Sequence, residues 1–96
     1  MKPQRKTDRK LLDAVAARPC QACGAILSSD PAHVRSRGAG GPDEAWNVMP
    51  LCRRHHTEQH KIGWCTFAAK YFGVQVWLGA NGWYFEGAKL RREEAA

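Results

Sequence analysis

Apolar positions come in short clusters whose spacing changes along the chain, divided by stretches rich in polar residues, Gly and Pro. In "TDRKLLDAVAARP", Leu11, Leu12 and Val15 recur at helical spacing, with Thr7 placed to cap the first turn and Pro19 to stop the last, so a short leading helix is expected. "CQACG" reads as a tight knuckle, and "ILSSDPAHVRS" as two short extended pieces around an Asp-Pro turn, with His33 on the second. "SRGAGGPDEAW" carries Gly38, Gly40, Gly41 and Pro42 at its centre and reads as a mobile loop of about ten residues. "NVMPL" then returns as an extended segment, and "CRRHHTEQHKIG" has helical composition with Gly63 as terminator. "WCTFAAKYFG" predicts another helix with Phe67, Ala68 and Tyr71 inward, and "VQVWLGANGWYFEG" a hairpin about its Asn81-Gly82 pair. The tail "AKLRREEAA" is polar. The pattern holds no internal repeat and predicts one α+β domain over residues 7–90, between a disordered arm at 1–6 and a frayed tail at 91–96.

Length changes the picture first. A chain of 96 residues buries too little apolar surface to be comfortably stable without a staple. Four cysteines could supply one, and the lack of an N-terminal apolar run points to a reducing cytoplasm, where metal is a better staple than disulfides. No stretch approaches the roughly 20 apolar residues of a membrane span. Net charge is +6, and Lys2, Arg5, Lys6, Arg9 and Lys10 fall within the first ten residues, so a polyanionic partner competes with a merely solvated basic tail.

Cys20 and Cys23 form Cys-x2-Cys, and Cys52 and His55 form Cys-x2-His. Each pair presents two donors from one tight turn, and two such pairs complete a closed tetrahedral zinc site of the structural kind, which adds folding energy. Cys65, beside Trp64, competes for the fourth ligand position, although a small buried thiol is the more common outcome there. A redox pair at Cys20 and Cys23 lacks the surrounding strand and helix pattern.

With His55 on the zinc, His56 and His60 stand one helical turn apart, their β-carbons about 5 to 6 Å from each other. They could share a second, open metal site, or simply belong to a solvated face with Glu58 and Gln59. His33 and Asn47 bracket the Gly-rich loop ahead of this helix, an order that would gather all four residues into one cleft.

The segments "CQACG", "DPAHVRSRG", "GGPDEAWNVMPLCRRHH" and "HKIGWCTFAAKY" together resemble the HNH endonucleases, also called ββα-metal or His-Me finger nucleases, in particular small phage and prophage members whose core sits on zinc knuckles. The resemblance covers residues 20 to about 72. It implies a ββα-metal core with an N-terminal helix and a C-terminal helix plus hairpin. It makes His33 the general base, Asn47 the brace of the loop that orients the base, His56 a catalytic metal ligand, and His60 the second helix histidine of colicin-type members. Histidine suits the base because its unperturbed pKa lies near neutrality. A single divalent ion, Mg²⁺ or Mn²⁺ and with imidazole ligands also Ni²⁺ or Zn²⁺, would neutralise charge on the phosphate and the leaving 3′ oxygen. The implied reaction is hydrolysis of DNA to a 5′ phosphate and a 3′ hydroxyl, with Lys6, Arg9, Arg35, Arg37, Arg53 and Arg54 as candidate contacts to double-stranded or branched DNA.

Many members of that family carry an Asp immediately before the base, where this chain has Ala32. Three arrangements are open: His56 and His60 hold the ion alone, Asp30 or Asp43 swings in, or the protein binds DNA and cuts poorly. Asp43, following Pro42, reads first as a turn cap. The competing function is a zinc-stabilised nucleic-acid-binding module without catalysis, which would have no need of His33, Asn47, His56 and His60. Neither reading calls for a small-molecule substrate or a membrane, and a bacterial cytoplasm, with phage or prophage origin, is the setting implied.

Overall fold

The computed structural model describes residues 7–26 and 28–93 of the chain, so the basic arm expected at 1–6, Lys6 included, and residues 94–96 lie outside the described residues. The described residues form an α+β fold of three helices and two antiparallel two-stranded ribbons, β1 with β2 and β3 with β4. Helix α1 spans Arg9–Ala16. Its cap is Asp8, one residue later than the Thr7 expected: the Asp8 carboxylate accepts from the Leu11 N–H at 3.0 Å, and its charge suits the positive end of the helix better than a hydroxyl. Leu12 and Val15 are buried against Val48.

Strand β1 (Asp30–His33) pairs with β2 (Val48–Leu51) in the register Asp30 with Leu51, Pro31 with Pro50, Ala32 with Met49 and His33 with Val48. The Asp-Pro pair therefore lies inside the strand and not in a turn. A residue before proline favours extended backbone, and Pro31 faces Pro50 at a position where neither has an N–H to leave unpaired. Side chains alternate, so Asp30 and Ala32 share one face with Met49 and Leu51, while His33 shares the other with Val48 and α1. All four residues of β2 are buried, with α1 on one face and the main core on the other.

Helix α2 runs Arg53–Lys70 and is interrupted at Gly63, whose φ of 80° and ψ of 164° no helix accommodates. The terminator read in the sequence is thus a bend. Beyond it Phe67 and Ala68 are buried as expected, and Tyr71 is half-buried.

The stretch read as a hairpin about Asn81-Gly82 is mostly helix. Helix α3 covers Phe72–Ala80, with Val74 and Leu78, four positions apart, both buried. Valine-rich alternation over so short a run fits either period, and packing decides: Gly73 sits against the Gln21 carbonyl, where a Cβ would come within 2.3 Å. Asn81 and Gly82 form the turn out of α3 into β3 (Trp83–Glu86). The true hairpin turns at Gly87 and Ala88 into β4 (Lys89–Arg92), so Arg91 and Arg92 belong to a strand where a frayed tail was expected. Burial of Trp83 and the pairing of Leu90 with Phe85 give that strand its apolar support. No helix among the described residues is long and apolar enough to cross a membrane.

Candidate active site and metal centre

The knuckle at Cys20–Cys23 closes through the Cys20 N–H to Ala25 carbonyl bond at 3.0 Å and the Gly24 N–H to Cys20 carbonyl bond at 2.7 Å, with Gly24 at φ 76°. Cys52 is the cap residue of α2, and His55 lies in its first turn. These elements bring Cys20, Cys23, Cys52 and His55 together, one donor atom from each lying within 4.8 Å of the others. Cys20 Sγ is 3.8 Å and Cys52 Sγ 3.1 Å from His55 Nδ1, and Cys23 Sγ is 4.0 Å from Cys52 Sγ. Tetrahedral bonds of about 2.3 Å to sulfur and 2.0–2.1 Å to nitrogen set neighbouring donors roughly 3.5–3.8 Å apart, so the group could hold a zinc ion. The chemistry of the donors agrees. Burial pushes the Cys20 thiol up, but backbone N–H groups of Cys52, Cys23 and Ala22 outweigh it and favour the thiolate. Burial, helped by Arg54, lowers His55 and keeps its imidazole in the neutral form a metal requires. The Tyr71 ring packs edge-on against His55 at 5.0 Å, and its hydroxyl donates to Glu58 at 2.6 Å.

Cys65 takes no part in this group. It lies beyond the bend in α2, and it is exposed where burial was expected, lining an apolar cavity of about 370 Å³ with Ala68, Leu78 and Phe85.

The remaining histidines take part in two hydrogen-bonded groups. In the first, His33 Nε2 lies 2.7 Å from Asp43 Oδ1. Asp43 is buried; its Oδ2 accepts from the Asp8 N–H at 2.9 Å and from Arg37 Nη2 at 3.1 Å. Burial pushes the Asp43 carboxyl up, and the hydrogen bond from His33, the Asp8 N–H and the Arg37 charge together hold it below its ordinary value. An ionised carboxylate only accepts, so His33 Nε2 carries the proton and the neutral ring keeps its lone pair on Nδ1. The turn-cap reading of Asp43 is thereby corrected: the loop folds it back onto the His33 side chain.

Asn47 holds that loop. It is fully buried, its Oδ1 accepting from the Arg35 N–H at 2.7 Å and its Nδ2 donating to the carbonyls of Arg35 and Pro42, each at 3.0 Å. Two 3-10 turns, Arg37–Ala39 and Ala45–Asn47, shape the rest. Gly41 passes so close that a Cβ there would stand 1.7 Å from the Arg35 carbonyl oxygen.

In the second group, His56 Nδ1 lies 3.0 Å from Asp30 Oδ2, and His56 Nε2 lies 3.2 Å from His60 Nε2. Arg53 Nε reaches the same Asp30 oxygen at 3.2 Å. Strand β1 contributes a member to each group, Asp30 and His33, on opposite faces and with Cα atoms about 10 Å apart at strand rise.

Of the candidate phosphate contacts, Arg37 and Arg53 sit at these two groups. Arg35 is half-buried over the rings of Trp46 and Trp83, at 5.9 and 5.4 Å. Arg9 pairs with Asp13 on α1, and Arg54 is exposed beside Glu58 and Lys61. Arg92, absent from the sequence reading, stacks at 3.9 Å on Trp46; only the strand character of β4 puts it there.

A family described as "Putative HNHc nuclease" matches residues 5–82. The uncharacterized protein YdfU of Escherichia coli (strain K12) is 37% identical over 62 residues, which cover 62% of this chain and 18% of YdfU. The chain thus spans under a fifth of that relative's length. No solved structure matches the chain.

Proposed function

The chain belongs to this HNHc nuclease family, and from that premise we propose that it is a metal-dependent endonuclease hydrolysing phosphodiester bonds of DNA, with β1, β2 and α2 as its ββα-metal core. The observation that carries the reading is the His33–Asp43 pair, which presents one imidazole nitrogen as a base and ties the other to a buried carboxylate. His33 Nδ1 takes the proton of a water aimed at phosphorus, and the Asp43 carboxylate fixes the ring and stabilises the imidazolium that forms. Asn47 acts at one remove, by fixing the backbone of Arg35, where the loop begins, and of Pro42, which directly precedes Asp43.

His56 and His60 fit a divalent cation: their Nε2 atoms stand 3.2 Å apart, close to the spacing of two nitrogens bound to one ion at about 2.1 Å. When bound, such a cation, Mg²⁺ or Mn²⁺ foremost, supplies charge neutralisation at the phosphate and the leaving 3′ oxygen. A DNA backbone laid over the free edge of β1 would meet His33 from one face and the helix histidines from the other, with Arg37 and Arg53 beside them.

Supercoiled plasmid incubated with the zinc-loaded protein and each divalent metal in turn tests this reading. The parent should nick and linearise the plasmid, and His33→Ala should lose about 10²- to 10⁴-fold in rate while zinc content, fold and DNA binding persist. Equal cutting by His33→Ala removes the mechanism. A folded parent that binds plasmid and leaves it supercoiled with every metal is a nucleic-acid-binding module instead.

A further inference from the structure

The Asp30 carboxylate meets the helix histidine His56, and its contacts give it a part different from that of a metal ligand. The His56 imidazole is used from both sides. Its Nδ1 faces Asp30 Oδ2 at 3.0 Å, and its Nε2 faces His60 Nε2 at 3.2 Å. A carboxylate accepts and does not donate, so Nδ1 carries the hydrogen and Nε2 the lone pair, turned toward His60. The same Asp30 oxygen receives Arg53 Nε at 3.2 Å, which sets an opposite charge against it. Each residue in this chain of contacts stands on regular structure: Asp30 on β1, held in register with Leu51, and Arg53, His56 and His60 on the first two turns of α2.

We infer that Asp30 is a positioning residue that holds His56 by Nδ1, with Nε2 aimed at the ion shared with His60, and that it does not itself coordinate that ion. The inference rests on the proposed metal role of His56 and His60. A carboxylate on the other nitrogen of a ligating imidazole fixes its tautomer and ring orientation and raises its basicity, and removing such a partner costs about 10- to 100-fold in metal affinity. The fold explains why the carboxylate stands at 30. Position 32 lies on the same face of β1 but is 1% exposed, opposite Met49 in the core, where a charge would be buried; Asp30, one step along that face, is at the rim with a side chain 23% exposed.

Binding of Mn²⁺ to the zinc-loaded protein, followed by the electron paramagnetic resonance signal of the free ion, separates the alternatives without relying on cleavage. Asp30→Ala should weaken Mn²⁺ about 10- to 100-fold. Asp30→Asn, whose amide oxygen is held toward His56 Nδ1 because Arg53 Nε donates to the same atom, should stay within about threefold of the parent. Zinc content and circular dichroism of each variant confirm the fold. Asp30→Asn losing as much affinity as Asp30→Ala would make Asp30 a direct ligand, and Asp30→Ala binding like the parent would leave it no part at the site; either overturns the inference. His56→Ala and His60→Ala keep the two readings apart. If they leave Mn²⁺ affinity unchanged, the metal site itself fails. If they abolish it while Asp30→Asn equals Asp30→Ala, only the role of Asp30 fails.

Discussion

His33 Nε2 stands 2.7 Å from Asp43 Oδ1, joining the end of β1 to a carboxylate ten positions later in the loop. The contact fixes which imidazole nitrogen is left to act. It also sets the imidazole N–H against a carboxylate whose side chain is 1% exposed.

Asp43→Asn should therefore disable the base as severely as removing it, by about 10²- to 10⁴-fold in plasmid cleavage, because the Asp8 N–H and Arg37 claim the amide oxygen and leave its NH2 facing His33, which holds the ring in the wrong tautomer. Since the Asp43 carboxyl is held below its ordinary value, the stability it contributes is complete above the unfolded value of about 3.9 and is lost as pH falls through the lower folded value. The difference in unfolding free energy between parent and variant should accordingly shrink as pH falls below about 4, measured by denaturant titration. A difference that held unchanged there would mean that the fold does not stabilise the ionised carboxyl.

Loop geometry has its own test. Asn47→Ala removes the hydrogen bonds to the N–H and carbonyl of Arg35 and to the carbonyl of Pro42 and should cost about 1–3 kcal/mol. Gly41→Ala forces a Cβ against the Arg35 carbonyl and should displace the same loop. Thermal melts should show both variants destabilised with the zinc content of the parent, and cleavage should fall in both. Parent-like cleavage in both would show that the loop need not be braced for the reaction.

Adjacent histidines should fail differently. His55→Ala removes one of the four zinc donors and should lose zinc and cooperative unfolding, as should Cys20→Ser with Cys23→Ser or prolonged exposure to a strong chelator. His56→Ala should remain folded and zinc-loaded yet need more divalent ion for cleavage. Metal analysis and calorimetry of the two variants check the allocation; exchanged phenotypes would reverse it.

DNA affinity should fall steeply with salt, the logarithm of the binding constant dropping by about 0.9 per phosphate neutralised for each tenfold rise in salt. Arg37→Ala and Arg53→Ala should each flatten that slope by about one phosphate, and deletion of residues 1–6 should flatten it further. Fluorescence anisotropy of a labelled duplex measures the slopes; an unchanged slope on deletion would make the basic arm a solvated tail.

The sequence by itself determined the features that depend on neighbours along the chain. Ligand spacing in two knuckles marked Cys20, Cys23, Cys52 and His55, and helical spacing put His56 and His60 on one face, because a turn or a helix converts such intervals into fixed distances. It also singled out Gly63, though as a terminator where the structure has a bend, and, through family resemblance, Asn47, whose hydrogen bonds tie Arg35 to Pro42. Tertiary structure decided what depends on two distant segments meeting. Asp43 and Asp30 are ordinary carboxylates in sequence, and only the return of the loop and the β1–α2 crossing give them His33 and His56 as partners. The same holds for α3: "VQVWLG" satisfies a strand or a helix, and the close seat of Gly73 on Gln21, with Val74 and Leu78 in the core, selects the helix. Packing against partners far along the chain chose among local conformations of similar energy, and local pattern alone carries no record of those partners.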